Sequence, residues 1–150
     1  MKDEASRWCA LLPCSASLNL AVPQNCLAEI VTLHTQREHP PETIRWRDHS
    51  LPVIDFGHQE QNAAHWREQR FGAGLLAIFR GLQGEGCDYW AIAVHGEGLK
   101  VKNIAAEQIE EQPDEVIELA TAAFSLDGII YQVPDLTELQ RKIAASLKAA

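Results

Sequence analysis

Positive charge is scarce in this chain: thirteen lysines and arginines stand against twenty-one aspartates and glutamates, a formal net charge of −8 over 150 residues. Such a field repels phosphate backbones and anionic membrane surfaces, so nucleic acid is not an expected partner. Long apolar runs are missing too. None reaches the roughly 18 residues that a membrane-spanning helix needs, because Pro, Asn or Gly interrupts each within a few positions. The opening Met1-Lys2-Asp3-Glu4 carries two acids, and no apolar stretch of signal-peptide length precedes Pro13. The expectation is a soluble, cytoplasmic protein without membrane insertion.

Metal-binding spacings are absent. Six histidines and four cysteines are present, yet there is no Cys-x-x-Cys, His-x-x-x-His or His-Glu-x-x-His. No metal and no cofactor is expected. Cys9 and Cys14 end one apolar run and Cys26 adjoins another, the setting of inert core thiols. Cys87 reads as the one exposed thiol, with Glu85 and Asp88 raising its pKa rather than activating it. The glycines of Gly81-Leu82-Gln83-Gly84-Glu85-Gly86 follow a strand without opening a helix and put an acid where a phosphate would sit, so they read as a hairpin turn. The carboxylates Glu107, Glu110, Glu111, Asp114, Glu115 and Glu118 crowd together without a cation nearby in sequence, as a solvated face does.

What the chain does have is a globular composition. Hydrophobic residues make up 46% and charged residues 23%, which excludes a disordered chain. A chain this long removes roughly 70% of its unfolded surface from water. Short apolar stretches recur at spacings near ten residues: Trp8 to Cys14, Leu18 to Val22, Leu27 to Leu33, Ile44 to Arg47, Leu51 to Phe56, Leu75 to Phe79, Tyr89 to Val94, Leu99 to Lys102 and Ile129 to Val133. This predicts eight or nine strands of a mainly β fold, one unit over residues 1–150. Leu99-Lys100-Val101-Lys102 alternates as a strand with one wet face, and Val116 to Ala123 is ambiguous between helix and strand. His58 to Phe71 is polar and reads as a loop with some helix. Only the end has a helical period: Asp135 is placed to cap a helix with Glu138 three residues on, and Leu136, Leu139, Ile143 and Leu147 recur at steps of 3, 4 and 4.

One constellation points to binding. Trp46 lies between Arg45 and Arg47 on a predicted hairpin, and these residue types concentrate energy at interfaces. On a strand the two arginines share one face and Trp46 turns to the core.

Arg45-Trp46-Arg47-Asp48-His49-Ser50-Leu51-Pro52-Val53-Ile54-Asp55-Phe56 resembles the "N-x-R-G-x-x-x-P-V-I-D-L" stretch of CheW-like chemosensory coupling proteins. Cys9 to Pro13, Leu18 to Val22 and Ala28-Glu29-Ile30-Val31 resemble that family's opening strands and its "x-E-I/V" segment, and Phe124 to Leu136 is similar to its closing strand and helix start. Tyr89-Trp90-Ala91-Ile92 and Val133-Pro134-Asp135-Leu136 look most like the ChpC-type paralogues of pilus-associated chemosensory systems. The resemblance implies two intertwined five-stranded SH3-like barrels with a C-terminal helix. It also implies no enzymatic activity and a scaffold role linking the cytoplasmic domains of chemoreceptors to the regulatory domain of a histidine kinase. Arg47 matches the family's motif arginine, associated with receptor coupling, and Arg45 and Asp48 complete the partner-binding set. Val53 and Ile54 match core strand positions. Asp48 stands where the family usually has Gly and offers Arg45 or Arg47 an acidic partner; Ala120 to Phe124 lacks the family's glycine motif before the last strand. Two rival classes stand beside the adaptor: an interaction module without kinase coupling, and a small thiol or hydrolase enzyme using Cys87 with a histidine.

Overall fold

A computed structural model describes residues 8–15, 18–34, 40–56, 73–81, 87–95, 99–104 and 109–149. Eleven strands lie within them: β1 (Trp8–Pro13), β2 (Asn19–Pro23), β3 (Leu27–His34), β4 (Thr43–Trp46), β5 (His49–Ile54), β6 (Ala73–Arg80), β7 (Tyr89–Val94), β8 (Lys100–Asn103), β9 (Glu110–Glu111), β10 (Ala120–Leu126) and β11 (Ile129–Pro134), followed by one helix, α1 (Leu136–Ala149). The fold is mainly β with a C-terminal helix, as expected. The strand total exceeds eight or nine because the ambiguous segment from Val116 yields β10 and the acidic stretch before it yields the two-residue β9. The segment His58 to Phe71 and the turn from Leu82 to Gly86 lie outside the described residues.

The chain divides these strands between two sheets. The first has the order β8-β1-β2-β11-β10-β9, the second β3-β6-β7-β5-β4. The chain begins the first sheet, leaves to build the whole second sheet, then returns to finish the first. The second sheet is thus one continuous stretch, β3 to β7, inserted between the two parts of the first, which has six strands rather than the expected five.

Burial explains the sequence pattern. In β6 and β7, Ala77, Phe79, Trp90, Ile92 and Val94 face one cluster while Leu76, Ile78, Ala91 and Ala93 face another. Strands covered on both sides read as unbroken apolar runs. The first cluster lies between the sheets, where Ala10, Leu12, Leu20 and Val22 of β1 and β2 meet β6 and β7, and α1 closes it with Leu139, Ile143 and Ala144. At its centre Phe79 stacks on Trp90, ring centroids 4.5 Å apart. Each sheet also curls around a cluster of its own: Leu11, Ala21, Phe124, Leu126 and Tyr131 in the first, and Leu51, Leu76 and Ile78 with half-buried side chains from β3, β4 and β5 in the second. Leu99 to Lys102 departs from its expected alternation: β8 ends its sheet and all four of its residues are exposed.

Helix α1 starts where its cap predicts, with the Glu138 amide donating to Asp135 Oδ1 at 3.1 Å. Its docking rests on Gln140, a polar residue fully buried among apolar neighbours. Gln140 Nε2 donates to the Cys87 carbonyl at 2.5 Å, and Cys87 Sγ donates to the Gln140 carbonyl at 3.7 Å. Gly81, directly after β6, lies against that amide: a Cβ there would clash with the Gln140 side chain. Overpacking of this kind costs about 1 to 3 kcal/mol. Gly81→Ala is therefore expected to lower the melting temperature by several degrees. In a Gln140→Ala background the same substitution should cost less than half as much, and thermal melts of the four-protein cycle measure the difference. Equal costs in both backgrounds would show that Gly81 is not required by Gln140.

Candidate functional site

The hairpin of β4 and β5 pairs Trp46 with His49, Arg45 with Ser50 and Ile44 with Leu51. Two residues remain for the turn, Arg47 and Asp48, and both have positive φ, 45° and 66°. A two-residue hairpin turn with both central residues in the left-handed region is the type I′ geometry that matches strand twist. The turn thus falls one residue earlier than the sequence reading placed it, which corrects two expectations. Arg47 is not on the strand and does not share a face with Arg45 by alternation. Nor does Asp48 hold Arg47.

The partner of Arg47 is Glu29, on β3. Arg47 Nη2 donates to Glu29 Oε1 at 2.9 Å. The same oxygen accepts the indole N–H of Trp46 at 3.1 Å, and the guanidinium lies over the indole, 4.9 Å from its ring centroid. Trp46 is half-buried rather than core: one side packs on the second sheet's cluster, and the other is covered by Arg47. Tyr89 at the start of β7 stands 5.1 Å from Trp46 and 4.8 Å from His49, centroid to centroid. The result is a surface cluster of Trp46, His49 and Tyr89 under one guanidinium. β3 and β4 are the two outer strands of the second sheet, so Glu29 meeting Trp46 and Arg47 brings its edges together.

These contacts are weak in energy. The side chains of Arg47 and Glu29 are 71% and 37% exposed; an exposed ion pair contributes about 0 to 1 kcal/mol, and an exposed cation–π contact about 0.5 to 1 kcal/mol. The guanidinium can exchange Glu29 for another carboxylate at small cost. Arg45 is exposed on the strand beside it. The three residues expected from sequence, Arg45, Arg47 and Asp48, therefore lie together at one hairpin. Glu29, Tyr89 and His49 were missed as members; the "E-I" match at Glu29 was the one sequence signal that could have found the partner.

A second polar group is internal. His95 Nε2 and Asp55 Oδ1 are 2.7 Å apart, with side chains only 8% and 11% exposed. Sequence reading singled out neither as a pair, because they lie 40 positions apart.

All four thiols have pKa values raised by burial, and two of them are buried. Cys87 is buried, against the expectation of exposure, because Gln140 and α1 cover it. Burial, and secondarily the charge of Asp88, raise its pKa. Cys14 is fully buried, and burial together with Asp55 pushes its thiol far above the usual range. Burial also raises Cys9 and Cys26. Among the described residues no group of three or more His, Cys, Asp or Glu side chains is arranged to hold a metal ion, and no helix is long and apolar enough to cross a membrane. The acids Glu110, Glu111, Asp114, Glu115 and Glu118 are exposed, as expected.

Raised thiol pKa values mean less thiolate at a given pH, so alkylation must accelerate as pH rises. With iodoacetamide at pH 8, followed by mass spectrometry, Cys9 and Cys26 should react slowly and Cys14 and Cys87 not at all. The reactive pair should speed up about tenfold per pH unit, and rapid modification of Cys87 would contradict its burial. The turn yields a further expectation. Glycine enters the left-handed region without the cost borne by other residues, about 1 kcal/mol, so Asp48→Gly should raise stability by about 0.5 to 1 kcal/mol in chemical denaturation. A loss would mean that the Asp48 side chain supports the turn.

No family profile and no curated protein matches the chain. Among solved structures it is similar to the scaffolding protein TtCheW from Thermoanaerobacter tengcongensis, with a TM-score of 0.54 and 18% identity over 89% of this chain and 92% of that one. Likeness at that identity shows the fold: two SH3-like sheets and a C-terminal helix in the CheW arrangement.

Proposed function

We propose that the chain is a cytoplasmic CheW-like adaptor, a single unit over residues 1–150 that docks the cytoplasmic domain of a chemoreceptor and the regulatory domain of a histidine kinase. The observation that carries this reading is the Arg47 hairpin on a CheW fold: an exposed guanidinium held over Trp46 by inexpensive contacts, at the position where the sequence resembles the coupling motif. The solved neighbour is described as a scaffolding protein. The resemblance of Tyr89 to Ile92 and of Val133 to Leu136 to ChpC-type paralogues favours a pilus-associated system. No enzymatic step is assigned: all four thiols have raised pKa values, and Cys14 and Cys87 are buried.

Within this reading the parts have distinct tasks. Trp46 and Tyr89 provide a rigid apolar platform. Arg47 provides a forked donor that a carboxylate or carbonyl can accept. Arg45 adds a second cation on the neighbouring strand. Glu29 holds Arg47 until a partner's acceptor replaces it. Asp48 reproduces the backbone that glycine would adopt, since Asp tolerates the left-handed region better than most residues.

Titration calorimetry against a purified chemoreceptor cytoplasmic fragment, and separately against a kinase regulatory domain, tests the reading. Arg47→Ala should weaken association by about 2 kcal/mol, near thirtyfold. Its melting temperature should change little, because the lost ion pair is exposed. Unchanged affinity would remove Arg47 from the interface. Receptor binding without kinase binding would favour the module that lacks kinase coupling, and no binding to either would reject the adaptor.

A further inference from the structure

Three strand ends from two sheets meet at one buried polar contact. Asp55 directly follows β5 and His95 directly follows β7, and these strands run parallel as neighbours in the second sheet, with Val53 opposite Ala91 and Ile54 opposite Ile92. The pair therefore spans the same end of adjacent strands. The third end comes from the first sheet: the His95 backbone amide donates to the carbonyl of Pro13, the last residue of β1, at 2.7 Å. The turn after β1 satisfies itself locally, with the amides of Cys14 and Ser15 both donating to the Leu18 carbonyl and the Leu18 amide donating to Ser15 Oγ. His95 thus joins the sheets through its backbone and holds its own strand end to β5 through its ring.

Apolar packing between the sheets is shaped by interchangeable aliphatic side chains: Ala10, Leu12, Leu20 and Val22 against Ala77, Ile92 and Val94. Such surfaces attract without strongly specifying their alignment. A hydrogen bond between two almost fully buried polar groups has one geometry. Desolvating those groups offsets most of what the contact gains, whereas breaking it from one side leaves the remaining desolvated group short of one hydrogen bond, which is unfavourable. That combination makes a device for alignment rather than for net stability.

We propose that Asp55 and His95 form a register lock, which selects one alignment of β5 and β7 against the end of β1 and contributes little net stability. The proposal is independent of any partner. It assigns the pair to holding the crossing of the two sheets, and it places Asp55 at the far end of the strand that begins at the Arg47 turn.

Thermal melts combined with amide hydrogen exchange test it on the intact chain. Asp55→Leu and His95→Leu, each removing one side of the contact, are expected to lower the melting temperature on the order of 10 °C. The double variant Asp55→Leu/His95→Leu should return to within about 5 °C of the starting protein. In that double variant the amide at position 95 should exchange at least about tenfold faster, because its bond to Pro13 is no longer held in register. His95→Gln, which retains a donor toward Asp55, should keep that amide protected. A double variant as unstable as the single ones would show that the pair supplies net stability. Unchanged protection at position 95 in the double variant would show that the alignment does not depend on it. Should the single variants fail to fold, the double variant and His95→Gln still decide between these outcomes.

Discussion

The apolar seam between the two sheets is the contact on which everything else in this molecule rests. β1 and β2 give one face to it and the other to the first sheet's own cluster, while β6 and β7 do the same from the second sheet. Four strands are thereby covered on both sides, and the Phe79–Trp90 stack and the closing helix complete the seam. This has a functional consequence. Strands covered on both sides leave no face for a partner, so the proposed recognition falls to the hairpin turns and sheet edges. The Arg47 turn is such a place.

The arrangement at Arg47 combines rigidity below with exchangeability above. Trp46 is anchored by Tyr89, His49 and the second sheet's cluster, so the platform does not have to be ordered on binding. The guanidinium above it is held by an exposed carboxylate and an aromatic face, each worth a kilocalorie per mole or less. A partner offering a better-placed acceptor gains a preorganised donor, and preorganisation is what converts modest contacts into affinity. The same geometry accounts for the tolerance of Asp48 in place of glycine: the turn demands a left-handed backbone, and Asp supplies it at modest cost.

The fold was legible where physical pattern and chain direction agree. The dense runs Leu75 to Phe79 and Tyr89 to Val94 appear as buried neighbours, the β1–β2 hairpin pairs as expected, and Asp135 caps the helix. Legibility failed where the outcome depends on contacts distant in sequence. Nothing near Cys87 announces that Gln140, 53 positions on, will cover it. The run at Ile44 to Arg47 looks like a strand through Arg47, and only the register of Trp46 against His49 reveals that the turn takes that residue. In sequence the acid beside Arg47 is Asp48, whereas sheet curvature brings up Glu29, 18 positions away. His95 and Asp55, 40 positions apart, are hidden in the sequence for the same reason. Sequence proximity is a poor guide in a β fold whose edges meet through curling.

The central claim, that the Arg47 hairpin is where a signalling partner docks, is tested most directly by residue-resolved binding. Titrating the isotopically labelled chain with a purified chemoreceptor cytoplasmic fragment and following amide, indole and guanidinium resonances would locate the contact. The largest shifts should fall on Arg47, the Trp46 indole N–H, Glu29 and Tyr89, with β1 and β2 unmoved. Saturable shifts confined to the first sheet, with the Trp46 indole unchanged, would contradict it.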